Sequence, residues 1–140
     1  MRPVVNAITL AVDDLDRALS FYRDGLGLPT PGIVGTEFGG DGEPAGDVVM
    51  FTLENGLVLA LYSRTDLALD AGVGLGRMTG SPFSLGWFVH SREEVEQVLA
   101  QAQRAGGTIV RPARERPWPI YAGYFADPDG YLWEVVYFHG

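Results

Sequence analysis

Phe125-Ala126-Asp127-Pro128-Asp129-Gly130-Tyr131-Leu132-Trp133-Glu134-Val135, near the end of the chain, has a counterpart in the first half, Phe51-Thr52-Leu53-Glu54-Asn55-Gly56-Leu57-Val58-Leu59-Ala60-Leu61. Each runs from a strand-like segment into a tight turn and out into an apolar strand, over 57–62 in one case and 131–138 in the other. Asn-Gly is a strong hairpin signal, and Asp-Pro-Asp-Gly suits a type I turn closed by a glycine at positive φ. The two turn glycines stand 74 residues apart.

Upstream of each turn lies a helix signal. Asp13-Asp14 caps a helix predicted over 15–24, with Ala18, Phe21 and Tyr22 on its apolar face and Gly25 or Gly27 as its stop. Ser91-Arg92-Glu93-Glu94 reads as a capping box, in which hydroxyl and carboxylate satisfy free N–H groups at the helix start. The apolar face that follows is Val95, Val98, Leu99 and Ala102, at i, i+3, i+4 and i+7, and Gly106-Gly107 ends it. Ser91 stands 77 residues after Asp14, and the same shift lays 4–12 over 81–89. The two shifts differ because one half carries three additional residues, expected in the glycine-rich stretch 32–46.

Each half thus reads strand, helix, three strands. The fold class is α+β: two βαβββ modules, about 4–63 and 81–140, in one domain spanning 1–140. Residues 64–80, with four glycines, read as the linker, holding a short helix near 67–71. One amphipathic helix cannot cover both faces of a module's sheet. Pairing the modules predicts a curved eight-stranded mixed sheet around a cavity, with the helices outside.

Composition excludes several function classes. The chain has no cysteine, so disulfides, thiolate metal sites and cysteine nucleophiles are out. No apolar run approaches the roughly 18 residues that span a bilayer, and the first residues lack the pattern of a signal peptide, so no membrane partner and a cytoplasmic location are expected. A formal net charge of −8 argues against nucleic acid, which needs clustered basic residues, and suits a cationic or neutral ligand better than an anionic one. The one basic cluster, Arg111, Arg114 and Arg116, sits in a Pro-rich stretch interrupted by Glu115. It reads as a solvated loop in preference to an anion site.

The sequence resembles the glyoxalase, bleomycin-resistance and extradiol-dioxygenase superfamily, also called vicinal oxygen chelate. The resemblance is carried by Asn6-Ala-Ile-Thr-Leu-Ala-Val12, by 16–28 with its Phe-Tyr-Arg-Asp-Gly-Leu-Gly-Leu ending, by 84–89, and by 123–135. It touches both halves and nearly the whole length. Catalytic relatives hold one divalent ion with side chains from the first and last strands of each half. Carried over by the internal repeat, those positions are Ala7, Ala60, Ser84 and Glu134. A catalytic divalent site needs three protein ligands of N or O type, and Glu134 alone is a good one. Asn6 points away from the face of Ala7. His90 lies outside the expected cavity, and His139 is penultimate, where fraying is expected. No metal and no other cofactor is expected.

Strand alternation assigns Ala7, Thr9, Val58, Ala60, Tyr62, Ser84, Gly86, Phe88, Leu132, Glu134 and Val136 to the cavity. Ile8, Leu10, Leu57, Leu59, Leu61, Trp133 and Val135 are assigned to the helix side. Trp118, Tyr121 and Tyr124 are expected at the mouth, Trp118 either as a platform for a planar ligand or as an anchor of its Pro-flanked loop. The candidate ligand-binding set is Thr9, Tyr62, Ser84, Phe88, Trp118, Tyr121, Tyr124 and Glu134. Glu134 is the catalytic candidate, because a carboxylate among apolar residues can take a proton or accept a hydrogen bond from a ligand amine. Asp127 and Asp129 belong to the turn. The leading expectation is a homodimeric, metal-independent protein that binds an antibiotic, natural product or aromatic metabolite. The rivals are a lyase, isomerase or dioxygenase with an unusual metal site or Glu134 as base, and an accessory subunit.

Overall fold

The computed structural model describes residues 2–35, 46–78, 83–117 and 119–140. Within them the chain forms two compact units, 1–23 with 27–79 and 24–26 with 80–140. Each unit carries one four-stranded mixed sheet, and the strands do not close into a barrel.

The first unit runs β1 (Ala7–Val12), α1 (Leu15–Leu19), β2 (Ile33–Val34), β3 (Val48–Thr52) and β4 (Val58–Ser63), in sheet order β1-β4-β3-β2. The second runs β5 (Ser84–Val89), α3 (Arg92–Arg104), β6 (Thr108–Glu115), β7 (Ile120–Ala126) and β8 (Leu132–Phe138), in order β5-β8-β7-β6. Both are βαβββ, as expected. The expected linker contains α2 (Arg64–Ala71) and a 3₁₀ turn, Leu75–Met78, so its helix is longer than the sequence suggested. Ser63 caps it by accepting from the Asp66 N–H at 3.1 Å. The expected insertion at 32–46 includes 36–45, which lie outside the described residues.

Identical local chemistry builds the two modules. Asp14 accepts from the Arg17 N–H at 3.1 Å, and Ser91 accepts from the Glu94 N–H at 3.0 Å. α3 ends as its glycines require: Gly106 has φ 112°, and the Gly107 N–H returns to the Ala102 carbonyl at 2.9 Å. α1 continues as a π-helical turn over Ser20–Gly25, a local widening that the apolar spacing does not announce. The repeated hairpins close alike. Leu53 and Asp127 each donate to the carbonyl four residues on, Leu57 and Tyr131, at 2.9 and 3.0 Å. Gly56 and Gly130 adopt φ 87° and 91°. The Asp127 carboxylate, 4% exposed, accepts from the N–H groups of Asp129 and Tyr131 at 2.9 Å each, which makes it a structural turn residue.

The parallel pairs keep the repeat in register. Ala7 faces Val58 and Thr9 faces Ala60 in one sheet, while Ser84 faces Leu132 and Gly86 faces Glu134 in the other. One face of each sheet is packed under a helix. In the first unit it carries Leu10, Val12, Leu59, Leu61, Val49 and Phe51, all at most 1% exposed. In the second, Phe125 stacks on Trp133 at 5.9 Å and Trp87 meets Trp133 edge-on at 5.8 Å. α3 covers this layer, with Val95 and Leu99 buried. The opposite face of each sheet carries the positions that alternation assigned to the cavity.

Candidate functional site

On the open face of the first sheet, Ala7, Thr9 and Ala11 lie in register with Val58, Ala60 and Tyr62, and Met50 pairs with Ala60 from the other side. Ala7 and Thr9 are exposed and Ala60 is buried. Tyr62 is half-buried; burial first, then the charges of Asp70 and Asp66 on α2, push its phenol above the ordinary value. Thr9 and Tyr62 thus share a face, and Tyr62 has α2 carboxylates as its electrostatic neighbours.

The second sheet's open face is more varied. Two rows cross all four strands: Gly86, Glu134, Tyr124 and Arg111, and beside it Phe88, Val136, Ala122 and Arg114. Ser84 begins a third row with Leu132, Ala126 and Thr108. Glu134 therefore lies between a glycine, which places no side chain against it, and Tyr124. The Tyr124 phenol is raised, first by burial, then by the Glu134 charge and a hydrogen bond to that carboxylate, while Arg116 and Arg114 act in the opposite sense. Phe88 is 68% exposed and Phe138 49%, with ring centroids 5.1 Å apart, edge to face. Four residues of the predicted set, Ser84, Phe88, Tyr124 and Glu134, are thus brought onto one face, with Val136 beside them.

Tyr121 is not among them. It pairs with Tyr137 and Glu115 on the helix side, and its hydroxyl donates to Glu96 of α3 at 3.0 Å. Tyr124 is three positions further along, so strand alternation puts the two tyrosines on opposite faces. Trp118 lies outside the described residues. His90 is exposed at the end of β5. His139, expected to fray, has partners here: its N–H donates to the Pro119 carbonyl at 2.8 Å, and its ring Nε2 lies 3.1 Å from Glu115 Oε2.

Sequence reasoning set the arginine cluster aside as a solvated loop, and the structure corrects this. Arg111 and Arg114 belong to strand β6 and face the same side as Tyr124 and Glu134. The available signal was Pro112, since proline within a strand marks an edge or a bulge. The formal charge of −8 therefore does not describe this face, whose β6 edge is cationic.

The four family positions do not fit a divalent ion. In the first unit Ala7 and Ala60 have no donor atom. In the second, Glu134 supplies a carboxylate and Ser84 a hydroxyl that is a poor ligand while protonated. Among the described residues no group of three or more His, Cys, Asp or Glu is placed to hold a metal.

The family described as the Glyoxalase/Bleomycin resistance protein/Dioxygenase superfamily matches residues 4–135. A glyoxalase-related enzyme from Fulvimarina pelagi is 30% identical, over 97% of this chain and 88% of that one, with a TM-score of 0.79. Lactoylglutathione lyase from Agrobacterium tumefaciens shares the fold at 22% identity and a TM-score of 0.68, over 98% of this chain and 95% of that one. A genomically encoded fosfomycin resistance protein from Listeria monocytogenes does so at 18% identity and 0.68, over 99% and 96%. No curated protein matches the chain in sequence. No helix among the described residues is long and apolar enough to cross a membrane. With the repeat, the paired registers and the match over residues 4–135, the chain belongs to the glyoxalase/bleomycin resistance protein/dioxygenase superfamily.

Proposed function

We propose that the protein is a metal-independent binder of small organic molecules, acting as a cytoplasmic homodimer that sequesters an antibiotic, natural product or aromatic metabolite. The observation that carries this reading is the donor set: alanine at two of the four family positions, serine at a third, and Glu134 alone at the fourth. The open face of the second sheet supports it further, since it sets apolar side chains such as Phe88 beside polar groups that can fix a ligand's orientation. A relative of the same fold is named for fosfomycin resistance, which makes resistance by sequestration a coherent role.

Elemental analysis of protein purified without a metal-affinity tag tests the reading. Divalent metal well below one ion per chain is expected, with no change in melting temperature on adding Zn²⁺, Mn²⁺ or a chelator. A tightly bound ion would raise stability by mass action. Stoichiometric metal together with metal-dependent turnover overturns the proposal.

A second reading keeps catalysis without the metal, with Glu134 as general base. The observation in its favour is Tyr124 beside the carboxylate, a proton donor next to a base. Glu134→Gln separates the two. A binder retains measurable affinity for its ligand, whereas a Glu134-dependent enzyme loses turnover while still binding.

A further inference from the structure

Two irregularities in β6 decide where its arginines point. Arg111 and Arg114 are three residues apart, so in a regular strand they would face opposite sides. The pairing with β7 shifts register between Ile109 and Arg111 and again between Arg111 and Arg114. As a result Arg111 stands opposite Tyr124 and Arg114 opposite Ala122, both on the open face. Re-aiming a side chain is what bulges do, and Pro112, with no N–H to give the ladder, sits between the two arginines. Arg116 continues the line, its N–H donating to the Ile120 carbonyl at 2.8 Å.

These cations are not neutralised by their own segment. Glu115, the only carboxylate between Thr108 and Ile120, faces the helix side opposite Tyr121. Both its oxygens are committed there, one to Arg92 Nε at 2.7 Å and the other to His139 Nε2 at 3.1 Å. No ion pair of Arg111, Arg114 or Arg116 occurs among the described residues. The three guanidinium groups also feel one another: burial first, then Arg111 and Arg116, hold Arg114 below its ordinary value, with Tyr124 opposing. Three like charges gathered on one edge of an acidic chain attract an anion, and the carboxylate on this face, Glu134, stands two strands away from Arg111.

Across the face from this edge, Ala122 and Val136, each 2% exposed, separate the arginines from the exposed Phe88 ring. At a strand spacing of roughly 4.8 Å the four-strand row is about 14 Å wide, and an extended guanidinium reaches back over part of it. We infer that this face takes organic acids, with Arg111 and Arg114 gripping an oxyanion and the exposed Phe88 ring receiving an apolar body. Guanidinium groups suit carboxylate, phosphonate and phosphate because their planar forks match two oxygens at once. The inference rests on the reading of this face as the ligand site and narrows its ligand to an anion, against the neutral or cationic ligand that net charge suggested.

Nuclear magnetic resonance titration of the full chain with benzoate, phenylphosphonate and the neutral isostere benzamide tests it. The two acids should perturb the amides of β6 and β7 and bind about tenfold or more tighter than benzamide. The Arg111→Gln/Arg114→Gln variant should erase that preference while still binding benzamide weakly. Arg104→Gln, an exposed charge change on α3, should leave it intact. Equal binding of acids and amide, unchanged in the double variant, overturns the oxyanion assignment and leaves the binder reading standing. Failure of all three probes to perturb the face overturns both.

Discussion

Tyr124 and Glu134 occupy paired positions on neighbouring strands, and the physical consequence is a phenol that resists ionisation. Ionising Tyr124 would place a second negative charge beside the carboxylate, on a half-buried surface, and would surrender the hydrogen bond the phenol gives. Glu134→Gln removes the charge and keeps the shape. It should lower the Tyr124 pKa while leaving Tyr62 and Tyr121 where they are, because those two answer first to burial and then to Asp70 and Glu96, not to Glu134. A ¹³C-tyrosine titration between pH 8 and 12 reads this directly, and an unmoved Tyr124 would show that burial alone sets its value. The linkage has a definite sign. A phenol whose folded value lies above the ordinary one contributes stability that is fully present below about pH 10. That contribution is lost as pH rises through the folded value, so alkaline stability should change in the Gln variant.

At the scale of elements, β6, β7 and α3 meet at Gly123. A Cβ placed there would lie 2.6 Å from Leu99 Cδ1 and 3.0 Å from both the Ala113 N and the Arg111 carbonyl oxygen. The contact with Leu99 reflects how closely α3 packs on the sheet, and the two backbone contacts come from the bulged part of β6. Glycine at this position thus lets the bulge form beneath the helix, which in turn sets the arginines on the open face. Gly123→Ala should cost about 1–3 kcal/mol through overpacking, read as a shift in the urea midpoint with unchanged slope. Leu99→Ala alone should cost about 2–5 kcal/mol, since it leaves a void under α3. The double variant should be less unstable than the two single costs predict, because the flexible leucine tip is the closest obstacle. Strict additivity would mean that the backbone contacts, and not Leu99, reject the methyl group.

For the molecule as a whole, the parts legible in the sequence are those governed by local chemistry. Asp14 and Ser91 announce helix starts because a side-chain oxygen must satisfy a free N–H, and Gly56 and Gly130 announce turns because the chain takes positive φ there. Their common spacing carried the two βαβββ modules. What remained hidden depends on register: the bulges that turn Arg111 and Arg114 to one side leave no trace in alternation except Pro112. Tyr121 was misplaced for the converse reason, since its nearness to Tyr124 in sequence says nothing about faces. Both modules close their ladders and their apolar layers internally, around Phe51 in one and Phe125 in the other, each 0% exposed. This yields a prediction about cooperativity. Phe51→Ala should cost about 3–5 kcal/mol, and native-state hydrogen exchange should register that loss mainly in the amides of 7–63. Protection in 84–138 should fall less, because contiguous cooperative units open separately when their cores are separate. Equal loss of protection in both halves would show instead that the repeat folds as a single cooperative unit, with the second sheet's face dependent on the first module for its stability.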